Sequence, residues 1–493
     1  MIRHWVQRRL GGYRHSANFV DPALAVRSSR SVAVIGAGLA GLTAAVTLAR
    51  RGCSVELFEA HDYLGGKIGA WPVALGGETQ FVEHGFHAFF HHYYNLNAFL
   101  DSLGLRKNFQ SIGDYAIVAL DGSRYSFAGV DKTPLLNLLS MRKQKLWSLS
   151  RVLKQPRLAG ILAMFRYDPA ETFRRYDGLS YKAWADQLGI PASMRLMFNS
   201  FSRAFFATPD RMSTAELLKS FHSFFLSHDG GLVYDYPTDD YDATFLTPLR
   251  RELEKHGARI HLGRPVGSVV RDSGFVVEGT RFDSVVLATN SKAARALVEA
   301  SPTLKQGSFR RQMAALVPSQ GYAVLRLWTN RALETDLPAF IITEHRRVLD
   351  SVSFYDRLEG PSKDWAERHN GAVYELHCYA LPDGLDNEGV RAELIEEFLE
   401  AFPSLRGSKI LHEHLQVNHD FTALHMGLHG DRPATETGIP GLVLAGDWVK
   451  LPFPAMLMEA AASSGLLAAN ALLRAEDLRE EPVWSVPPRG LFA

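Results

Sequence analysis

Short apolar runs, each closed by glycine or by an acid, are the first regularity along this chain. Val32-Ala33-Val34-Ile35 runs into Gly36-Ala37-Gly38-Leu39-Ala40-Gly41, after which the apolar spacing becomes helical over residues 42–51. A second run, 54–58, ends on Glu59. The same device returns near the C-terminus, where Leu442-Val443-Leu444-Ala445 ends on Gly446-Asp447 and a small-residue helix follows over 458–470. Between these ends, 257–262 and 265–270 read as short strands, and 282–289 closes their unit. The pattern predicts an α/β fold with two interleaved domains. One is assembled from 31–80, 242–295 and 437–475, the other from 81–241 and 296–436. Residues 1–30 form a basic arm and 476–493 a tail. Turn clusters mark the joins: Gly76-Gly77, Pro237-Thr238-Asp239-Asp240 and Thr437-Gly438-Ile439-Pro440.

The first run carries chemistry. In G-x-G-x-x-G after a strand and before a helix, Gly36 permits the tight turn and Gly38 lets backbone approach a pyrophosphate. Gly41 lets helix and sheet pack closely, and the helix N-terminus offers free N–H groups to phosphate. Glu59, at the end of the second strand, is placed to accept hydrogen bonds from ribose hydroxyls. These parts together make a Rossmann-type dinucleotide site. Leu64-Gly65-Gly66-Lys67 follows directly, and the return to the site at Gly446, Asp447 and Met458 selects FAD. A flavin held in an extended pose needs contacts beyond the first βαβ unit. Asp447 can bond ribityl or phosphate oxygens, and the helix beginning at Met458 can point N–H groups at the ring.

Composition narrows the class. The 493 residues are 46% hydrophobic with a formal net charge of +1, so nothing draws the chain as a whole to nucleic acid. Two cysteines, Cys53 and Cys378, give no disulfide framework and point to a reducing, cytoplasmic compartment. Histidine clusters occur at His84, His87, His91 and His92 and at His412, His414 and His419. They lack acids or cysteines at ligand spacing, so no metal is expected. No stretch approaches the roughly 20 apolar residues of a spanning helix, and the N-terminus has no apolar core of a secretory signal.

From 31 to 475 these motifs resemble the FAD-containing amine oxidase and phytoene desaturase superfamily. By that resemblance the Val266 backbone contacts the adenine, and Lys67 stands where arginine usually follows the glycine pair. Aromatic rings crowd residues 81–95, 198–206 and 221–225, and Trp448 and Phe453 stand beside Gly446-Asp447. Such rings build either an aromatic core or an apolar tunnel, and their place next to flavin-binding elements favours the tunnel. Ala70-Trp71-Pro72-Val73, His84-Gly85-Phe86-His87-Ala88-Phe89-Phe90 and Gly446-Asp447-Trp448-Val449-Lys450-Leu451-Pro452-Phe453-Pro454 narrow the likeness further. They resemble the carotene desaturase/methyltransferase group, the isorenieratene synthases. Ala460-Ala461 departs from the Arg-Ala expected there.

That resemblance implies hydride abstraction from an apolar polyene, methyl migration and aromatisation of a β-ionone end ring. Glu83, His84 and His87 are then candidate bases, each with an equally good structural reading. Phe86 and Phe453 offer ring faces to a developing cation, and Glu459 is read as orienting the C-terminal helix. Residues 132–167 interleave basic and apolar side chains, including Arg142, Lys143, Lys145, Trp147 and Arg151, with no acid after Asp131. This pattern predicts peripheral attachment to an anionic membrane surface. The N-terminal arm has the same character, with a transit peptide as the other reading. The electron acceptor, quinone or oxygen, stays open. Alternatives are another isoprenoid desaturation or isomerisation, a soluble amine oxidase and, in a different class, a prenyl-binding escort protein.

Overall fold

The computed structural model describes residues 10, 12–15, 29–120, 122–143, 160, 162–190, 192–304, 307–334, 336–344 and 346–493. The strand Ser31–Ile35 lies at the centre of a five-stranded parallel sheet. Ser54–Phe58 and then Arg259–His261 flank it on one side, with Ser284–Leu287 and Leu442–Leu444 on the other. Val34 pairs with Leu57 and Val286, and Val286 with Val443. These side chains are all within 4% of full burial, as a sheet covered on both faces requires. The 265–270 run is strand only from Val269. Pro265 has no N–H to give a ladder, and from Val269 the chain pairs with Phe275–Val277 in a separate three-stranded antiparallel sheet.

Helix Leu39–Arg50 packs against helix Leu457–Ala475, and the small residues of the latter have a steric reason. A Cβ added at Gly465 would strike the Ala40 carbonyl oxygen, and one at Gly41 would strike that of Gly36. Glycine at both positions lets the two helices and the sheet close on one another.

The intervening segments build a seven-stranded sheet. Its order is Ile410–Asn418, Tyr322–Thr329, Ala372–Cys378, Ser351–Phe354, Phe340–Thr343, Ala116–Val118, Arg124–Ser126. The pairs are antiparallel except Phe340–Thr343 with Ala116–Val118. Side-chain alternation divides its faces. Leu325, Tyr374 and Leu376 join Leu394 and Phe398 of helix Asn387–Ala401 in one core. Tyr322, Val324, Arg326 and His377 look the other way, toward the parallel sheet. Another apolar cluster runs from Val32 and Leu48 to Leu217 and Phe224, so the two halves share a core.

No helix among the described residues is long and apolar enough to cross a membrane. Of the basic-apolar stretch, helix Leu136–Lys143 and the turn Leu162–Phe165 are seen. Lys145, Trp147 and Arg151 lie outside the described residues, as do residues 1–9 of the arm. Tyr13–Arg14 pairs with Trp484–Ser485 of the tail.

Candidate active site

Between the two sheets lies one cavity of about 1200 Å³. That is above the usual 300–1000 Å³ of a single-ligand pocket, and both the glycine motifs and the aromatic runs border it. At one end Gly36 turns the chain with φ +103°, a left-handed conformation. A side chain there would meet Ala288 O at 2.6 Å. Gly38 N-caps the first helix without a side chain, and a Cβ on it would meet nothing nearer than Gly65 O at 3.9 Å. The backbone there is bare toward the cavity, and the helix carries no acid in its first turn. Gly65 and Gly66, both at positive φ, close over Gly38 through a Gly38–Gly65 bridge. A pyrophosphate fits this cradle.

Glu59 is locked in place. Ala37 N–H donates to its Oε2 at 2.8 Å and His61 N–H to Oε1 at 3.0 Å, and the side chain still borders the cavity. Val266 lines the same end, and Gly446, Asp447, Met458 and Ala461 return to it from the C-terminal segment. Thr422 Oγ1 donates to Asp447 Oδ1 at 2.9 Å, and Lys67 Nζ lies 3.6 Å from Oδ2, over the Phe421 ring at 4.1 Å. Lysine thus keeps the positive charge beside Asp447 as a point contact, where arginine would offer a planar fork. Bare glycine backbone, a fixed carboxylate and a second anchoring carboxylate suit an extended FAD. Gly41 does not reach the cavity; its part is the close packing described above.

Beyond the cradle the seven-stranded sheet forms the cavity floor. One rung crosses six strands in register: Gln416, Val324, His377, Ser351, Ile342 and Ile117. Five of these border the cavity, and Ser351 is bonded to the bordering Tyr379 at 2.8 Å. At about 4.8 Å between strands the rung is roughly 24 Å long. Phe86, Phe90, Phe205, Phe206, Phe224, Tyr234 and Phe340 close over it. Phe86 stacks on Phe340 with centroids 5.1 Å apart, and Phe206 on Phe421.

The candidate bases separate. His84 and His87 both face the cavity. Burial, reinforced for His84 by His87 and Lys67, holds them neutral, at about 3 and about 4. His87 Nδ1 is 2.6 Å from Gly85 O, and His84 Nε2 3.4 Å from Tyr63 Oη. Glu83 does not belong with them. It is fully buried, away from the cavity, and Arg326 Nη2 donates to it at 2.5 Å. The strand Glu78–Glu83 ends at this residue and the chain bends at His84, so the two adjacent side chains take different directions. Phe453 is likewise misplaced by sequence proximity. It packs against His15, Leu466 and Val483, outside the cavity. Trp448 is also withdrawn: its Nε1 donates to Thr289 O at 2.9 Å, and the ring fills the space beside Gly446. Glu459 accepts Asn95 N–H and Leu96 N–H, each at 3.0 Å, and so joins the C-terminal helix to the start of helix Tyr94–Ser102. His91 bonds Asp235 at 3.0 Å. Among the described residues no group of three or more His, Cys, Asp or Glu could hold a metal.

Sequence reasoning missed Arg326, Glu375 and His377. Arg326 and Glu375 pair directly across two buried strands. Glu83, Glu359 and the Tyr355 ring, 3.9 Å from the guanidinium, complete the surroundings. Burial pushes Glu83 and Glu359 up, outweighing Arg326. At Glu375 burial is the largest influence, but Arg326 and His377 together overcome it and hold the carboxyl at about 2. The signal was present as a single charge inside Tyr-Ala-Val-Leu-Arg-Leu-Trp-Thr and another inside Ala-Val-Tyr-Glu-Leu-His-Cys.

Residues 39–473 match the flavin-containing amine oxidoreductase family. The chain belongs to that family. Its sequence is similar to carotenoid phi-ring synthase of Streptomyces griseus, 36% identical over 98% of this chain and 96% of the relative. The carotenoid phi-ring synthase of Chlorobaculum tepidum is 28% identical over 94% and 91%. In fold it resembles cyclohexylamine oxidase from Brevibacterium oxydans, with TM-score 0.62, 15% identity, and 92% and 100% of the two chains covered. The protein is therefore an FAD-dependent oxidoreductase, carotene desaturase-like in sequence. This sets aside the escort-protein alternative.

Proposed function

We propose that this enzyme dehydrogenates an extended apolar polyene and aromatises its β-ionone end ring with migration of a ring methyl. The observation that carries the reading is the continuity of the cavity from the glycine cradle to a floor roughly 24 Å long, where Val324, Ile342 and Ile117 of the sheet face the rings of Phe86, Phe90 and Phe206. The names of the two carotenoid relatives support the same substrate class. Bound FAD supplies two-electron, hydride-accepting chemistry at the cradle end.

The residues of the chain do the rest. Gly38, Gly65, Gly66, Glu59, Val266, Lys67, Asp447 and Met458 hold and orient the cofactor. The sheet floor and the rings of Phe86, Phe90 and Phe206 exclude water, and their π faces stabilise positive charge on the substrate. His84 and His87, kept neutral by burial, are proton acceptors available at the cavity wall. Substrate reaches the protein from a bilayer at whose surface the basic-apolar stretch 132–167 docks, and quinone or oxygen reoxidises the flavin.

Expression in a host that makes β-carotene tests this. Each aromatised ring makes the pigment four hydrogens lighter at unchanged carbon count. A pigment with added oxygen, or one whose rings keep their geminal methyls while the polyene is desaturated, would falsify ring aromatisation.

A further inference from the structure

Aromatisation must remove protons as well as hydrides from a cavity whose walls are largely apolar. An imidazole that takes such a proton becomes a cation in a poorly polarisable surrounding, which is costly unless a fixed negative charge stands beside it. Of the cavity histidines, His84 and His87 have a tyrosine hydroxyl and a backbone carbonyl as their neighbours. His377 is different. It is the third residue of the six-strand rung, near the middle of the floor, and its Nε2 lies 3.0 Å from Glu375 Oε1, off the direct hydrogen-bond line.

Glu375 is built to stay where it is. It shares the His377 face of the strand, two residues earlier, and is fully buried. Phe86 N–H donates to its Oε1 at 2.7 Å, and Arg326 reaches its Oε2 through Nε at 3.0 Å and Nη2 at 2.6 Å. A hydrophobic pair would fill this space at no electrostatic cost, so an ion pair buried there with a histidine at the cavity wall calls for a reason.

Resting on the aromatisation reading, we propose that His377 accepts a ring proton during aromatisation, with Glu375 and Arg326 as its positioning residues. The electron pair of the broken C–H bond becomes a ring double bond, the proton goes to the imidazole, and Glu375 balances the new charge. The hydrides leave in separate steps to the flavin. The titratable groups facing His377 are Glu375 on its own strand, His87 from the covering segment, and Tyr379 and Asp350 at the strand ends.

The test uses purified holoenzyme and β-carotene in lipid vesicles. His377→Gln should keep its FAD and form aromatic pigment about 10²–10⁴ times more slowly. The pH–rate profile of His377→Gln should differ in shape from that of the wild type, not only in height. His377→Ala should regain activity with added imidazole, a rescue that a structural role would not permit, and Glu375→Asp should lose less than His377→Gln. A His377→Gln enzyme with the wild-type rate and pH profile overturns the proposal. So does a His377→Ala protein that keeps its FAD but is not rescued. If the wild type neither bleaches its flavin with β-carotene nor yields aromatic pigment, the aromatisation reading itself fails first.

Discussion

Three glycines a few residues apart do different work, and substitution separates them. At Gly38 an added methyl finds open space within the protein, and at Gly41 it collides with the Gly36 carbonyl. Gly38→Ala should therefore fold and melt like the wild type yet lose most of its flavin absorbance, because the methyl occupies the approach of the pyrophosphate. Gly41→Ala should lose stability by the about 1–3 kcal/mol of an overpacked core, or more, since the obstacle is backbone. Equal flavin content in folded Gly38→Ala would remove the cradle assignment. The two phenylalanines separate in the same manner. Phe86→Ala should lower turnover with FAD retained, because the ring stacks on Phe340 at the cavity wall. Phe453→Ala should cost the roughly 3–5 kcal/mol of a buried ring and leave turnover of the folded fraction unchanged. Comparing kcat with denaturant midpoints for each variant decides it.

At the scale of elements, Glu459 ties two helices that are far apart in sequence. Burial is the dominant influence on its carboxyl and raises it to about 8, against hydrogen bonds from Asn95, Leu96 and Ser463 that pull the other way. A carboxyl raised on folding favours the native state while protonated. Its contribution is full below the ordinary value of 4.5, and is lost as pH rises through about 8. Stability measured by urea unfolding should decline across that window, and Glu459→Gln should flatten the decline. An unaltered slope in the variant would place the titration elsewhere. Glu375 has the opposite sign. Held at about 2, it supports the fold above 4.5 and ceases to as acid approaches 2. Removing its partner in Arg326→Met should cost about 3–5 kcal/mol, the penalty of a buried charge left alone.

For the molecule as a whole, the proposed polyene substrate turns attention to the surface by which it would enter. The described part of the basic-apolar stretch leaves Leu139 and Leu162 half exposed, and Arg142, Lys143, Lys145 and Arg151 adjoin them in sequence. Neutralising these four together should move the protein from the pellet to the supernatant with anionic vesicles. At about 1 kcal/mol per basic side chain, binding should weaken by two to three powers of ten. Unchanged sedimentation at physiological salt would return this stretch to an ordinary solvated face.

The sequence by itself determined the parallel sheet and the cofactor cradle, because their chemistry is local. Gly36, Gly38 and Glu59 act through their own backbone and the strand ends they occupy, and a fixed spacing suffices to read them. The sequence also expected Gly446, Asp447 and Met458 to return to the same site, and the structure brings all three to the cavity wall. What only the tertiary structure decided was which side chains face the cavity. Trp448 follows Asp447 directly and Phe453 comes soon after, yet both turn into packing, while Phe206, Tyr322 and Phe421 arrive from distant segments. Glu83 closes a strand and His84 begins the bend after it, so adjacent residues reach Arg326 and the cavity respectively. Arg326 lies in one strand and Glu375 and His377 in another, with two strands and a helix between them in the chain, and their meeting depends on strand order in a seven-stranded sheet. No local pattern specifies that order; it is set by which faces can be buried together.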